Sequence, residues 1–310
     1  MFAFLKKIFL FILILAIFDY MIGQCLHYIY FSQKRGQFAQ TTYSLDSSNQ
    51  DILVFGNSRA ARHYSSAILS DSLHKTCYNL GMDAQGIIYA TALQEVIFNR
   101  HKPSMVILNI NAWEFDESPV KYERLSVFLP YCKEHPELIK YIKLSSPAAK
   151  WELLSNVYTY NSTFFTTISN LSQANNLPKI QGGYDPMIKK MNATEIAFVK
   201  KKIVLQAEEN RQKPPKIDTI AFSYYSNFLK KCVDNHIPTY VIISPTLVPE
   251  EQSKGKEKLI EITQSFPTIK FMDFSSDPDY NGHFEKFADF LHLNKEGAEA
   301  FTKKLAAVLK

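Results

Sequence analysis

The hydrophobic pattern changes rhythm twice along the chain. Residues 8–18 read IFLFILILAIF, and the apolar stretch runs on with interruptions to Phe31, with Asp19 as its one carboxylate. A helix starting near Lys7 crosses ~30 Å of hydrocarbon in about twenty residues, so this stretch predicts a membrane span. Tyr20, Tyr28 and Tyr30 lie towards its far end, where aromatic rings favour the membrane boundary. No Ala-x-Ala pattern follows the run, and Gln24 before Cys25 fits a lipoprotein cleavage site poorly, so the span is expected to be retained as an anchor. Residues 36–50 are polar and rich in Ser, Thr, Gln and Asn, as a stalk would be.

From residue 51 the pattern becomes short apolar runs alternating with helical periods. Strands are expected at 51–55, 76–80, 105–110, 239–243 and 268–272. Helices are expected at 86–99, 217–235, 251–264 and 295–309, with Asn294 capping the last. Fully apolar strands are those covered on both faces, as in parallel sheets. The alternation therefore predicts an α/β three-layer sandwich with a mostly parallel sheet. The interval 112–215 breaks the rhythm, with an Asn/Ser/Thr-rich region at 155–176, Gly182-Gly183 and Pro214-Pro215. It reads as a large insertion or cap over the carboxyl edge of the sheet, where open α/β sheets bind ligands. The expected organisation is a cytoplasmic start and anchor at 1–31, a stalk at 32–50 and a catalytic domain at 51–310.

Charge narrows the function. The formal net charge is +5 and the lysines are dispersed rather than clustered, which argues against nucleic acid as a partner. Lys6 and Lys7 precede the apolar run while Lys34 and Arg35 follow it, a slight bias that puts the body of the protein outside the cytoplasm. Cys25, Cys77, Cys132 and Cys232 are widely separated, implying neither a dense disulfide framework nor a metal site. Asn161, Asn170 and Asn192 begin sequons, which matter only in a eukaryotic secretory route.

Two short segments carry candidate chemistry. Gly56-Asn57-Ser58 directly follows the first strand, so a hydroxyl is presented from a rigid strand end into the usual crevice. Gly, Asn and Ser are also ordinary turn formers, and Ala60 stands where a Gly-x-Ser-x-Gly elbow would have its second glycine. Near the other end, Asp289-Phe290-Leu291-His292 places a carboxylate three residues before an imidazole. On a helical turn the two would share a face. Imidazole titrates near neutrality and a carboxylate fixes its tautomer, which is what an activated serine needs. A surface turn is the competing reading of this segment, and His63 competes with His292 as base.

Taken together these segments resemble the SGNH/GDSL hydrolase superfamily. Gly56-Asn57-Ser58 stands at the family's Gly-Asp-Ser block, Gly81 at the second block's glycine, Asn109-Ile110-Asn111-Ala112 at the third block, and Asp289 to His292 at the last. The resemblance implies Ser58 as nucleophile, His292 as base and Asp289 as its orienting acid. It also implies an oxyanion hole made by the Ser58 and Gly81 N–H groups and the Asn111 side chain. Asn57, Asn109 and Ala112 depart from the family's Asp, Gly and Asp. Asn57, Arg59, Arg62 and Asn109 are further expected to contact substrate. An amino-terminal anchor before this fold is similar in layout to envelope proteins of D-alanyl transfer and polysaccharide O-acetylation. That layout implies an acylated carbohydrate or envelope polymer as substrate, a membrane acyltransferase partner, a single-pass inner- or plasma-membrane location and no cofactor. An anchored, catalytically inactive scaffold or glycan-binding protein is the alternative.

Two other patterns suggest ligands. Asp277-Pro278-Asp279-Tyr280-Asn281-Gly282 opens like a calcium loop, but Ala288 occupies the bidentate Glu position, so a polar turn and no metal is expected. Trp113, Trp151, Tyr158 and Tyr160 are expected either to line a carbohydrate groove or to pack a core.

Overall fold

The computed structural model describes residues 1–172, 181–212, 215–250 and 253–310. The elements, in chain order, are α1 (Phe2–Phe31), α2 (Gly36–Asp46), β1 (Ile52–Phe55), α3 (Ser58–His63), α4 (Ser66–Leu73), β2 (Cys77–Asn79), α5 (Ile87–Arg100) and β3 (Met105–Asn109). They continue with α6 (Pro119–Glu123), α7 (Ile139–Ser145), α8 (Ala149–Glu152), α9 (Phe164–Ser172), α10 (Ala193–Gln212), α11 (Thr219–Asp234), β4 (Thr239–Ile243), α12 (Lys254–Gln264), β5 (Ile269–Asp273) and α13 (Lys295–Leu309). The chain forms two compact units, Met1–Thr42 with Tyr122–Lys179, and Tyr43–Lys121 with Ile180–Lys310.

The second unit is an α/β fold around a five-stranded sheet in the order β2-β1-β3-β4-β5. Every adjacent pair is parallel, with Val54 opposite both Asn79 and Ile107. Strands β1, β3 and β4 are wholly buried, as their unbroken apolar runs require. Alternate side chains face opposite layers. Ile52, Val54, Ile107 and Ile242 pack with Leu69 of α4 and Phe301 and Leu305 of α13. Phe55 points the other way and meets Phe228 of α11, ring centroids 5.2 Å apart, where α11 lies against α5 and α12. Because β2 and β3 flank β1, the chain reverses its direction of winding there, and the crevice at such a switch point is the usual ligand site.

Several segments differ from the hydrophobic reading, among them the 20-residue α10 inside the interval read as an insertion. Residues 58–73 form α3 and α4, too short for a helical period to show. In the polar segment 32–50, Gly36–Asp46 is helical, and Arg100 gathers the carbonyls of Ser44, Leu45 and Ser48. Of the 112–215 interval, 173–180 and 213–214 lie outside the described residues. In the first unit, α1 joins short helices and turns around a core of Leu125, Phe128, Leu138 and Ile142. There Tyr30 packs in tilted and edge-on contacts among Phe38, Tyr131 and Tyr160.

Candidate active site

The site is assembled from two turns at the carboxyl edge of the sheet. At the end of β1 the chain must reverse at once into α3. Gly56 does this at a φ of +142°, and a Cβ there would fall 2.5 Å from the Asn109 carbonyl oxygen, so only glycine is accommodated. Asn57 then caps α3, its Oδ1 accepting the Arg59 N–H at 2.8 Å. Ser58 is thereby carried on the first position of a helix anchored to the central strand.

The second turn is closed by an antiparallel bridge between Phe287 and Leu293 and by the Ala288 N–H donating to the His292 carbonyl at 2.9 Å. It is a tight bend rather than the helical turn expected from the three-residue spacing. One oxygen of Asp289 organises it, accepting the N–H groups of Leu291 at 2.7 Å and His292 at 2.9 Å. Asn294 caps α13 immediately afterwards, accepting the Gly297 N–H at 3.0 Å.

These turns bring Ser58, His292 and Asp289 together. Ser58 Oγ lies 2.8 Å from His292 Nε2, and His292 Nδ1 lies 2.9 and 3.0 Å from the two Asp289 oxygens. A carboxylate at Nδ1 requires the ring proton there, which leaves the Nε2 lone pair to accept the Ser58 hydroxyl. Burial raises the Asp289 carboxyl, but bonds from the His292 ring and from the two backbone N–H groups outweigh it and hold the group down at about 2. The carboxylate is therefore ionised wherever the imidazole can act as a base.

His63, the competing base, faces elsewhere. Its Nε2 accepts the Leu293 N–H at 2.9 Å, so Nδ1 carries the proton and donates to Ser244 Oγ at 2.9 Å. Burial first, then the positive charge of Arg59, keeps it well below the usual imidazole range and neutral. Sequence reasoning missed Ser244, which follows β4 much as Ser58 follows β1. Arg62 does reach the site: Nη1 lies 3.5 Å from His292 Nε2, while Nη2 is paired with Asp83 at 2.5 Å and faces Asp185 at 3.9 Å.

The remaining expected site residues mostly serve the interior. Arg59 is buried and donates to Asn111 Oδ1 and to the carbonyls of Ser244 and Pro245. Asn109 is buried and accepts the Tyr64 hydroxyl. Asn57 donates to Glu114 Oε1 at 2.9 Å, and the Asn111 N–H reaches the same oxygen at 3.1 Å. An amide suits position 57 because it accepts from Arg59 and donates to Glu114 at once, which an ionised Asp does not. Asn57, Arg59 and Asn109 thus all bond to protein groups, while Asn109 Nδ2 and Arg59 Nε are buried without a hydrogen-bond partner. Gly81 donates its N–H to Asn79 Oδ1 at 2.9 Å. The one local signal for Glu114 is its place three residues after Asn111, the spacing of a capping box, and that pairing forms. Burial outweighs its hydrogen bonds and raises it to about 8.

The calcium-like pattern has a protein partner, and of the four aromatic residues Trp113, Trp151 and Tyr158 are exposed. Asp277 and Asp279 both hold Lys304 Nζ, at 2.6 and 2.8 Å, and among the described residues no cluster of three or more His, Cys, Asp and Glu is placed to hold a metal ion. Trp113 belongs to the sheet unit and Trp151, Tyr158 and Tyr160 to the other. Tyr160 is buried, its hydroxyl bonded to His27 Nδ1 at 3.0 Å.

No family model matches the chain, and no curated protein matches it. A solved structure from Streptococcus pneumonia whose description names a platelet activating factor is similar to this chain at 14% identity and a TM-score of 0.38, over 94% of this chain and 99% of that one.

Proposed function

We propose that the chain is a membrane-anchored serine esterase or O-acyltransferase of the SGNH type, acting on an acylated carbohydrate or other envelope polymer outside the cytoplasm. One observation carries the reading: a continuous hydrogen-bonded path from Ser58 Oγ through His292 to Asp289, between positions 234 apart in sequence. The long apolar helix α1 supports the anchor. The envelope substrate, the extracytoplasmic placement and a membrane partner that delivers acyl groups rest on the anchored layout alone.

In this mechanism His292 Nε2 takes the Ser58 proton as Oγ bonds to the acyl carbonyl carbon. The tetrahedral oxyanion collapses, the ester C–O bond breaks, and the proton on Nε2 leaves with the departing alcohol. Acyl-Ser58 is then attacked by water or by a sugar hydroxyl, whose proton passes through His292 back to Ser58. Asp289 holds the ring tautomer and stabilises the imidazolium between steps. The Ser58 N–H stands in the first turn of α3, among the donors a helix start leaves without intrahelical partners, and is the leading oxyanion donor. Gly81 and Asn111 join it by exchanging their present bonds to Asn79 and to Glu114. Arg62 is the charged group beside the nucleophile, and its two carboxylate neighbours orient it.

The test is covalent capture by a serine-directed fluorophosphonate on the full chain in detergent. Labelling is expected on Ser58, lost in S58A and reduced by about a thousandfold or more in H292A, in line with the loss of a general base and its network. A folded S58A protein that still takes up the label rejects this nucleophile. A wild-type chain that stays unlabelled and leaves acetylated or alanylated envelope polymer unchanged favours the scaffold reading.

A further inference from the structure

We infer that the segment Trp151–Leu171 is a second membrane-contacting element, embedded beside α1 in the leaflet nearest the folded part of its unit. The inference rests on reading α1 as the membrane anchor.

The depth of α1 sets the argument. Every residue from Met1 to Phe18 is exposed, whereas from Asp19 onward one face of the helix is occupied by its own unit. Asp19 accepts bonds from Ser155 Oγ, from the Asn156 N–H and Nδ2, and from the Val157 N–H. One turn further, a Cβ on Gly23 would sit 2.3 Å from Asn156 Cβ, so this loop lies directly on the helix. With Lys6 and Lys7 at one boundary, about twenty residues of hydrocarbon end near His27. Asp19 then lies roughly 17 Å from Ile8 along the axis, inside the hydrocarbon, and Ser155–Val157 shares that depth. A carboxylate there needs partners, and this one has four. Irregular backbone there must satisfy itself. The Tyr158 N–H donates to Ser155 Oγ and the Tyr160 N–H to the Val157 carbonyl.

The flanking surface matches lipid rather than water. Trp151 is 74% exposed, Leu154 72% and Phe165 82%, with Phe164, Ile168 and Leu171 exposed on the same α9. Thr163 just before that helix and Thr167 within it are buried while its apolar side faces out, the reverse of a helix covering a core in water. No Asp, Glu, Lys or Arg occurs between Glu152 and Lys179, whereas exposed surfaces in water are dense in charge. Acyl chains are the occupant that continues from the bare face of α1 onto this surface.

Trp113 and Trp151 are the only tryptophans, so W113F isolates the probe. In vesicles of phosphatidylcholine brominated along the acyl chain, Trp151 emission is expected to be blue-shifted, largely quenched, and shielded from aqueous iodide. A second probe, L13W in a W113F/W151F background, reports α1 separately. Quenching of the L13W probe with none of Trp151 overturns the inference and leaves the anchor. Absence of quenching at both probes removes the anchor itself, and the inference with it. A Trp151 that is blue-shifted yet unquenched, and becomes iodide-accessible on dilution with lipid, assigns the surface to a second copy of this chain and also overturns it.

Discussion

At the residue scale, the candidate site is held by groups behind Ser58 and His292. His63 holds the Leu293 N–H with one nitrogen and Ser244 with the other, which positions the backbone next to His292. H63A is expected to slow fluorophosphonate labelling about tenfold or more, the equivalent of losing one buried bond worth ~1–3 kcal/mol. H63Q, able to accept and donate in the same directions, should restore most of the rate, and the pH profile of labelling should be unchanged in both because His63 stays neutral. Equal loss in H63Q and H63A would assign His63 to packing alone. Glu114 works in the same way, its Oε1 accepting from Asn57 and Asn111. E114A strands these donors, and its urea midpoint should fall by the equivalent of ~1–3 kcal/mol per stranded group, while E114Q falls less. Of these contacts only the one between Asn111 and Glu114, three residues apart as in a capping box, lay within reach of a local rule. Glu114 follows Asn57 by 57 positions and Leu293 follows His63 by 230, and no local rule links residues so far apart.

At the element scale, two turns hold Ser58 and the Asp289–His292 pair, and each can be tested separately. In G56A a methyl group must displace the Asn109 carbonyl while adopting a φ that L residues disfavour. The expected outcome is a destabilised chain whose surviving folded fraction labels poorly, measured by comparing labelling per folded molecule. Asn294→Ala removes the cap of α13, costing ~0.5–2 kcal/mol, and frees the chain two residues beyond His292. Hydrogen exchange should rise in the first turn of α13 and spread to the 288–292 bend. Both turns were legible as turns, from Gly56 after an apolar strand and Asn294 before a helical period. The spacing of Asp289 and His292 was legible too. The form of that turn was not: a helical turn and a carboxylate-centred bend both bring positions three apart together, and the choice fell to the bridge between Phe287 and Leu293.

At the scale of the whole molecule, two carboxyls shape the pH dependence in opposite directions. Glu114, raised to about 8 from an ordinary value of 4.5, keeps its proton in the folded state where the unfolded chain has lost it. Stability therefore falls as pH rises between about 4.5 and 8, and urea midpoints should show this slope in the wild type and a flatter one in E114Q. Asp289, held at about 2 against 3.8, binds fewer protons when folded, so its contribution is present above about 3.8 and lost as pH falls towards 2. The strands, the helices α5, α11, α12 and α13 and the apolar anchor could be read directly, because burial on one face or both imposes a periodicity on neighbouring residues that survives in one dimension, whereas the 20-residue α10 fell in the interval that breaks the rhythm. Short helices α3 and α4 escaped, since six and eight residues hold too few turns to show a period. What sequence alone determined is therefore the strands, the anchor and four of the helices, their order, and the chemically capable residues at their ends. Only the tertiary structure decided which of those residues face each other: parallel strands deliver Ser58, Gly81, Asn111 and Ser244 to one edge, and packing there brings His292 to Ser58 while turning His63, Arg59 and Asn109 inward. Packing couples distant segments through three-dimensional contact, and that coupling leaves no regular trace along the chain.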